Sequence, residues 1–233
     1  MSINYILYDV TVTTLTPLHI GTGRELQLGF DYVVHDGQTW RIDEDALLEA
    51  QWEGGEGAYD RLLQSRPPAE LLDPKVDFAP DKPWFRYVLK GQPRSKDKGA
   101  SLREQIKDFH ARPYLPGSSL KGALRTALAW HGWEALSLRP NRSMLGHSEK
   151  QAARQIEREI FGPDPNHDLL RALQVSDSEP LDHDALMLVN AQVVTRGGMG
   201  SPIEVEAIRP DMAFHLTIKL DEALFTPWAE RGG

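Results

Sequence analysis

An α+β fold is predicted from three observations: a strand of period two at the start, two amphipathic helices in the middle, and a run of strands over the last third. Ile6, Tyr8, Val10 and Val12 alternate with Leu7, Asp9, Thr11 and Thr13, the spacing of a sheet strand. A helix is expected from about Ser118 to Trp133, where Leu120, Leu124, Ala127, Leu128 and His131 recur at three- and four-residue steps. A second is expected from Ser148 to Phe161, with Ala152, Ile156 and Ile160 inward and Gly162 just past its end. Strands are expected at Leu173 to Asp177, Leu186 to Val194, Ile203 to Ile208 and Met212 to Leu220. Helices interleaved with strands in this way predict an α+β sandwich of the ferredoxin type.

The shorter elements are read from punctuation. Leu15-Thr16-Pro17-Leu18-His19-Ile20-Gly21-Thr22-Gly23 follows the first strand, and its proline and glycines predict an end to regular structure. Phe30 to Val34 and Thr39 to Ile42 flank Asp36-Gly37, a hairpin signal because both residues tolerate positive φ. Asp43 is placed to cap a short helix through Leu47 and Leu48. Residues 51–112 hold Gly54-Gly55, Pro67-Pro68, Pro74, Pro80, Pro83 and Pro93, and are expected to form an irregular insertion within one domain spanning 1–233. Trp84, Phe85 and Tyr87 sit there among Lys82, Arg86 and Lys90. Such a mixture suits either stacking on nucleic-acid bases or a small satellite core.

Composition narrows the class. A chain of 233 residues with 40% hydrophobic and 26% charged residues is long enough for one or two small domains with real cores. Without cysteine there is no disulfide and no thiolate metal site. No apolar run is long enough to cross a bilayer, and Met1-Ser2-Ile3-Asn4-Tyr5 lacks the basic start of a secretory signal, so a cytoplasmic protein without a membrane partner is expected. The net charge of -8 conceals an asymmetry. From Lys82 to Arg125, eleven Lys or Arg residues face only Asp97, Glu104 and Asp108, which gives +8 there and -16 elsewhere. A window of that sign attracts a polyanion, or else it is a solvated basic loop.

The sharpest segment is Pro113-Tyr114-Leu115-Pro116-Gly117-Ser118-Ser119-Leu120-Lys121-Gly122-Ala123-Leu124-Arg125, a loop feeding a helix. Either serine could cap it, and the free amides and dipole at that end favour an anion. Lys121 and Arg125 are four residues apart, so about 40° apart around the helix, and are expected to project from one side. Gly117 and Gly122 leave room for a backbone to come close. On physics alone a capped helix and a phosphate site are equally well supported.

The Leu-Pro-Gly-Ser-Ser-Leu-Lys-Gly-Ala-Leu-Arg string resembles the signature helix of the RAMP superfamily of CRISPR systems. The stretch from Leu15 to Gly23 is similar to that family's first strand-to-loop segment. Phe30-Asp31-Tyr32-Val33-Val34, Trp40-Arg41-Ile42-Asp43, Leu173 to Ser178 and Val205 to Pro210 resemble the Csm branch of type III-A, and within it the fifth-subunit family. That resemblance implies an RRM-like fold and contact with the guide RNA backbone. It implies a subunit that caps the filament near the guide 3′ region and assists guide maturation without cutting target. Its implied partners are the CRISPR guide RNA, neighbouring Csm backbone and small subunits and, indirectly, target RNA, within an antiviral ribonucleoprotein. Carried onto this chain, the RNA contacts are Gly117, Ser118, Ser119, Lys121 and Arg125, with His19, Gly21, Thr22 and Gly23 as a second surface. Members of the family commonly run longer and end in a glycine-rich loop, whereas this sequence stops at Arg231-Gly232-Gly233, as a fragment or a shortened relative would. Arg196-Gly197-Gly198-Met199-Gly200 is internal and is expected to connect strands.

Three rival chemistries stand beside this. Related backbone subunits that cut target RNA place an aspartate after the first strand, and Asp31 could serve a metal there, or simply hydrogen-bond a turn. His19 could act as a general base in guide processing, or lie against a sheet edge. The His-Asp pairs at 35–36, 167–168 and 183–184, and the cluster of Asp177, Glu179, Asp182, His183 and Asp184, lack metal-loop spacing and are expected to be solvated. No cofactor is expected. A structural interaction protein without RNA contact is the remaining alternative.

Overall fold

The computed structural model describes residues 5–52, 67–95, 100–139, 141 and 152–226. The chain divides into two units. One unit comprises Met1–Val12, Leu115–Glu179 and Phe214–Gly233; the other comprises Thr13–Tyr114 and Pro180–Ala213. The chain is α+β, as its periodicity predicts.

The first unit carries a three-stranded sheet of order β1 (Tyr5–Thr13), β10 (Ala213–Asp221), β7 (Leu173–Val175). β10 and β7 run antiparallel, with Ile218 opposite Val175 and Leu220 opposite Leu173. Helices α2 (Gly117–Ala135) and α3 (Arg154–Phe161) belong to this unit. Gly162 ends α3 at φ 125°, and a Cβ there would lie 2.0 Å from the His167 carbonyl oxygen, so only glycine fits. The expected start of that helix is corrected, since residues 152–153 form a turn ahead of Arg154, and residues 148–151 lie outside the described residues.

The second unit is built on a seven-stranded sheet. Its order is β2 (Gly21–Gln27), β6 (Ser101–Gln105), β9 (Gly198–Ile208), β8 (Leu186–Thr195), β5 (Phe85–Lys90), β4 (Gln38–Ile42), β3 (Tyr32–His35). β3 and β4 form the expected hairpin, with Asp36 at φ 48° and Gly37 at φ 73°, both left-handed as a tight turn requires. Asp43 caps α1 (Glu44–Trp52) by accepting from the Ala46 amide at 3.3 Å. Arg196-Gly197 connects β8 to β9, as expected of a strand connection.

Two expectations are corrected. The region from 51 to 112 is not irregular throughout, because β5 and β6 lie inside the large sheet. In β5 the buried Phe85, Tyr87 and Leu89 alternate with the exposed Arg86 and Lys90. The interleaving of aromatics and cations is therefore the period of a strand. Phe85 joins Trp40, Ile42, Leu47 and Leu72 in one core cluster, with Trp84 against it, which answers the satellite-core alternative. Second, glycines 21 and 23 do not end regular structure but lie within β2. That strand escapes a pattern search because Leu26 is its only buried residue.

Candidate nucleic-acid interface

The two predicted surfaces fall in different units, and each stands by itself. In the first unit α2 opens at Pro116, which is its N-cap and offers no side-chain cap; neither serine performs that role. Instead the amides of Ser119 and Leu120 donate to the Pro116 carbonyl at 3.0 and 3.2 Å, and the Gly117 amide donates to Asp177 at 2.8 Å. A carboxylate of the chain thus already satisfies the positive end of the helix. Gly117 is buried, and a Cβ there would meet the Val175 and Ser176 carbonyl oxygens at 2.3 and 2.5 Å. The backbone that approaches Gly117 is the chain's own. Ser118, Ser119 and Gly122 are exposed, and nothing lies within 4 Å of a Cβ built on Gly122.

Lys121 and Arg125 do share one side of α2, but that side faces the protein. Lys121 Nζ donates to the Leu173 carbonyl at 2.7 Å. Arg125 pairs with Asp168 at 2.8 Å and Glu157 at 3.3 Å, and its guanidinium lies 4.0 Å from the Phe161 ring centroid. Both cations project from one side, as expected, but that side is half-buried, while Leu128 and Trp130 of the same helix are 46% and 71% exposed.

In the second unit, Gly21, Thr22 and Gly23 lie exposed on β2, at one edge of the large sheet. The register with β6 shifts between Gly21 and Glu25, and Gly23 takes φ 88°, with nothing within 4 Å of a Cβ built there. This is an irregular, glycine-bearing edge to which another backbone has access. Thr22 Oγ1 donates to Glu104 at 3.2 Å. His19 precedes the strand, and its Nδ1 lies 2.6 Å from the carbonyl oxygen of Glu206 on β9, an interior strand, not against the sheet edge.

Asp31 sits in the turn before β3. Its carboxylate takes Arg24 at 2.7 Å, Arg41 at 3.3 Å and the Gln27 amide at 2.9 Å. Those contacts hold a turn together.

Sequence reasoning missed the buried polar cluster beneath this edge. Glu206 on β9 is fully buried and accepts from the Tyr87 hydroxyl at 2.7 Å, the Gln105 amide at 3.0 Å and the Lys107 ammonium. Lys107 also donates to the Gln105 carbonyl at 3.0 Å. Burial pushes the Tyr87 hydroxyl well above its ordinary range, with the Glu206 charge adding to it. Burial likewise draws the Lys107 ammonium below its ordinary value, although Glu206 opposes the shift. The available signal was a glutamate at every second position of a strand, Glu204 and Glu206 between Ile203, Val205 and Ala207.

The sequence profile of the RAMP superfamily matches residues 11–226. The chain is 26% identical over 252 aligned residues to the CRISPR protein Csm5 of Streptococcus thermophilus, covering 96% of this chain and 67% of that one. It is 24% identical to the Csm5 of Methanocaldococcus jannaschii, covering 94% of this chain and 54% of that one. The crystal structure of T. onnurineus Csm5 superposes with a TM-score of 0.71 at 28% identity, over 92% of this chain and 69% of that one. A chain of the cryo-EM Csm–crRNA–target RNA ternary complex of a type III-A CRISPR-Cas system superposes with a TM-score of 0.65 at 27% identity, over 93% and 65%. The chain therefore belongs to the RAMP superfamily, and among its members resembles the fifth Csm subunit.

Proposed function

We propose that this chain is a guide-RNA-binding subunit of a type III-A CRISPR interference complex that holds RNA rather than cutting it. The observation that carries the reading is the likeness, over 93% of the chain, to a component of an assembly containing crRNA and target RNA. The geometry supports it at two places. The β2 edge offers Gly21, Thr22 and Gly23, and the start of α2 offers Ser118 and Ser119, all exposed. Hydroxyls and backbone amides read phosphate and sugar, so binding should be largely indifferent to guide sequence. Lys121 and Arg125 then act indirectly, by fixing the helix that carries the serines. His19 plays the same part for β2. On this reading the three-stranded sheet with its helices is the RRM-like element, and the chain caps the guide 3′ end beside Csm backbone and small subunits. Asp31 is structural, since both its oxygens are engaged in the turn.

The test is reconstitution of the complex with this chain and its guide, followed by crosslinking and mapping of target cleavage. Guide RNA should crosslink to peptides containing residues 21–23 and 118–119. Asp31→Ala should leave every mapped target cut in place. A chain that assembles but crosslinks to no RNA would make it a purely structural subunit. Loss of one defined cut in Asp31→Ala would make it a nuclease.

A further inference from the structure

The loop after β6 displays two aromatic rings on a tied frame. Lys107 and Pro113 form an antiparallel bridge, and the Asp108 amide donates to the Arg112 carbonyl at 2.9 Å. The Asp108 carboxylate accepts from the amides of His110 and Arg112 at 3.0 and 2.9 Å, and from the Arg112 guanidinium at 3.0 and 2.8 Å. Ala111 closes the turn at φ 62°. Burial works against it, but those hydrogen bonds and the Arg112 charge hold the Asp108 carboxyl below its ordinary value. On this frame Phe109 is 91% exposed, its ring centroid 3.8 Å from that of His110.

A single exposed apolar residue is ordinary. Phe109 differs in being rigidly presented and in what lies beside it. It borders a polar pocket of about 200 Å³ that Thr22, Arg41, Arg86, Lys107 and the carboxylates of Glu104 and Asp108 also line. Arg41 is buried and committed to Asp31, and the Lys107 side chain, 6% exposed, is committed to Glu206. Arg86 is 41% exposed and pairs with Asp43 through Nε at 3.1 Å. A pocket of this size is below the range of roughly 300–1,000 Å³ that holds drug-sized ligands. It suits one polar fragment, such as a phosphate or the edge of a base.

We propose that Phe109, with the His110 ring tilted against it, is a base-stacking platform for single-stranded RNA, and that Arg86 receives the neighbouring phosphate at the pocket. This deepens the RNA-binding reading and rests on it. An aromatic face stacks on any base, and a cation beside it tracks the backbone, the combination that single-strand binders use. The flanking Lys107 and Arg112 lie within the positive window of the sequence. A protein interface is depleted of charge at its core, and here charged side chains of both signs line the pocket beside the ring.

The probe is a short single-stranded oligouridylate carrying one 2-aminopurine, whose fluorescence is quenched by stacking, titrated against the full chain over a salt series. Wild type should bind and quench. Phe109→Ala should lose the quench and weaken binding roughly 5- to 150-fold, the loss of one stacked base. Its salt dependence should be unchanged, since no phosphate contact is removed. Phe109→Trp should restore both. Arg86→Ala should instead flatten the slope of log K against log salt by about 0.7. Thermal unfolding of Phe109→Ala should match wild type. Equal affinity and quench in Phe109→Ala would overturn this platform while leaving the RNA-binding reading intact. A wild-type chain that binds no RNA, alone or in the assembled complex, would remove both. Phe109→Ala that keeps RNA but loses a partner subunit would assign the ring to protein docking and overturn the proposal.

Discussion

Arg125 shows how a single side chain can look like a ligand-binding group and act as a tie. Its guanidinium spans Asp168 and Glu157 and lies over the Phe161 ring. Asp168 in turn caps the short 3-10 turn Leu169–Ala172 by accepting from the Leu170 amide at 2.8 Å, just before β7. Removing the guanidinium therefore loosens α3 and the approach to β7 together. Charge-assisted hydrogen bonds contribute about 1.5–3 kcal/mol each, and the 32% exposure of the Arg125 side chain lowers that through solvent screening. Arg125→Ala should thus cost about 1–2 kcal/mol in urea denaturation. Arg125→Lys should recover only part, because an ammonium cannot fork between two carboxylates and stack on a ring. A variant with an unchanged midpoint but weakened RNA binding would return the guanidinium to the RNA.

Two glycines of α2 differ in what surrounds them. At Gly117 a methyl group would collide with two backbone carbonyls, which cannot swing aside. Gly117→Ala should destabilise the first unit by about 1–3 kcal/mol or more, as overpacking does. At Gly122 a methyl group meets nothing, and alanine gains up to about 1 kcal/mol of helix propensity. Opposite signs in two denaturation curves are expected; equal losses would mean that Gly122 also faces the fold. The same contrast shows what was legible in the sequence. β1, the Asp36-Gly37 hairpin, the Asp43 cap and both middle helices follow from short-range periodicity and turn chemistry, which act within a few residues. The half-burial of Lys121 and Arg125 beside Leu120 and Leu124, and the exposure of Leu128, were not legible, because hydrophobicity alone ranks all three leucines above the two cations. Nor were β2 and β5. The first is polar nearly throughout, and the alternation of the second is framed by prolines and glycines that mimic a loop. The turn that engages Asp31 and the Phe109 frame depend on partners that only the fold brings together, or on hydrogen bonds with no hydrophobic signature.

Within the second unit, one buried carboxylate of β9 ties four other segments together. Glu206 joins β9 to β5 through Tyr87, to β6 through Gln105, to the Phe109 loop through Lys107, and to the start of β2 through the His19 contact with its carbonyl. The side chain of Lys107 is 6% exposed and that of Glu206 is wholly enclosed, so neither charge can fall back on water. Glu206→Gln keeps only one of the two acceptor oxygens that serve Tyr87 and Gln105, and it takes the close carboxylate from the Lys107 ammonium, leaving Glu104 at 3.9 Å. Breaking a buried pair from one side costs about 3–5 kcal/mol, which is the loss expected at pH 7. Lys107 can relieve that loss only by giving up its proton. Its value in the folded wild type already lies below the ordinary 10.5 because of burial, and without the Glu206 charge it falls further. Between that lowered value and 10.5 the unfolded chain binds more protons than the folded one, so stability must rise with pH. The deficit of Glu206→Gln relative to wild type should therefore shrink as pH rises from neutral towards the ordinary lysine value of 10.5. Lys107→Met combined with Glu206→Gln should regain much of the loss at neutral pH and lose the pH slope. A deficit that is the same across that range would mean that Lys107 takes its charge from other partners, and that the frame presenting Phe109 does not depend on Glu206.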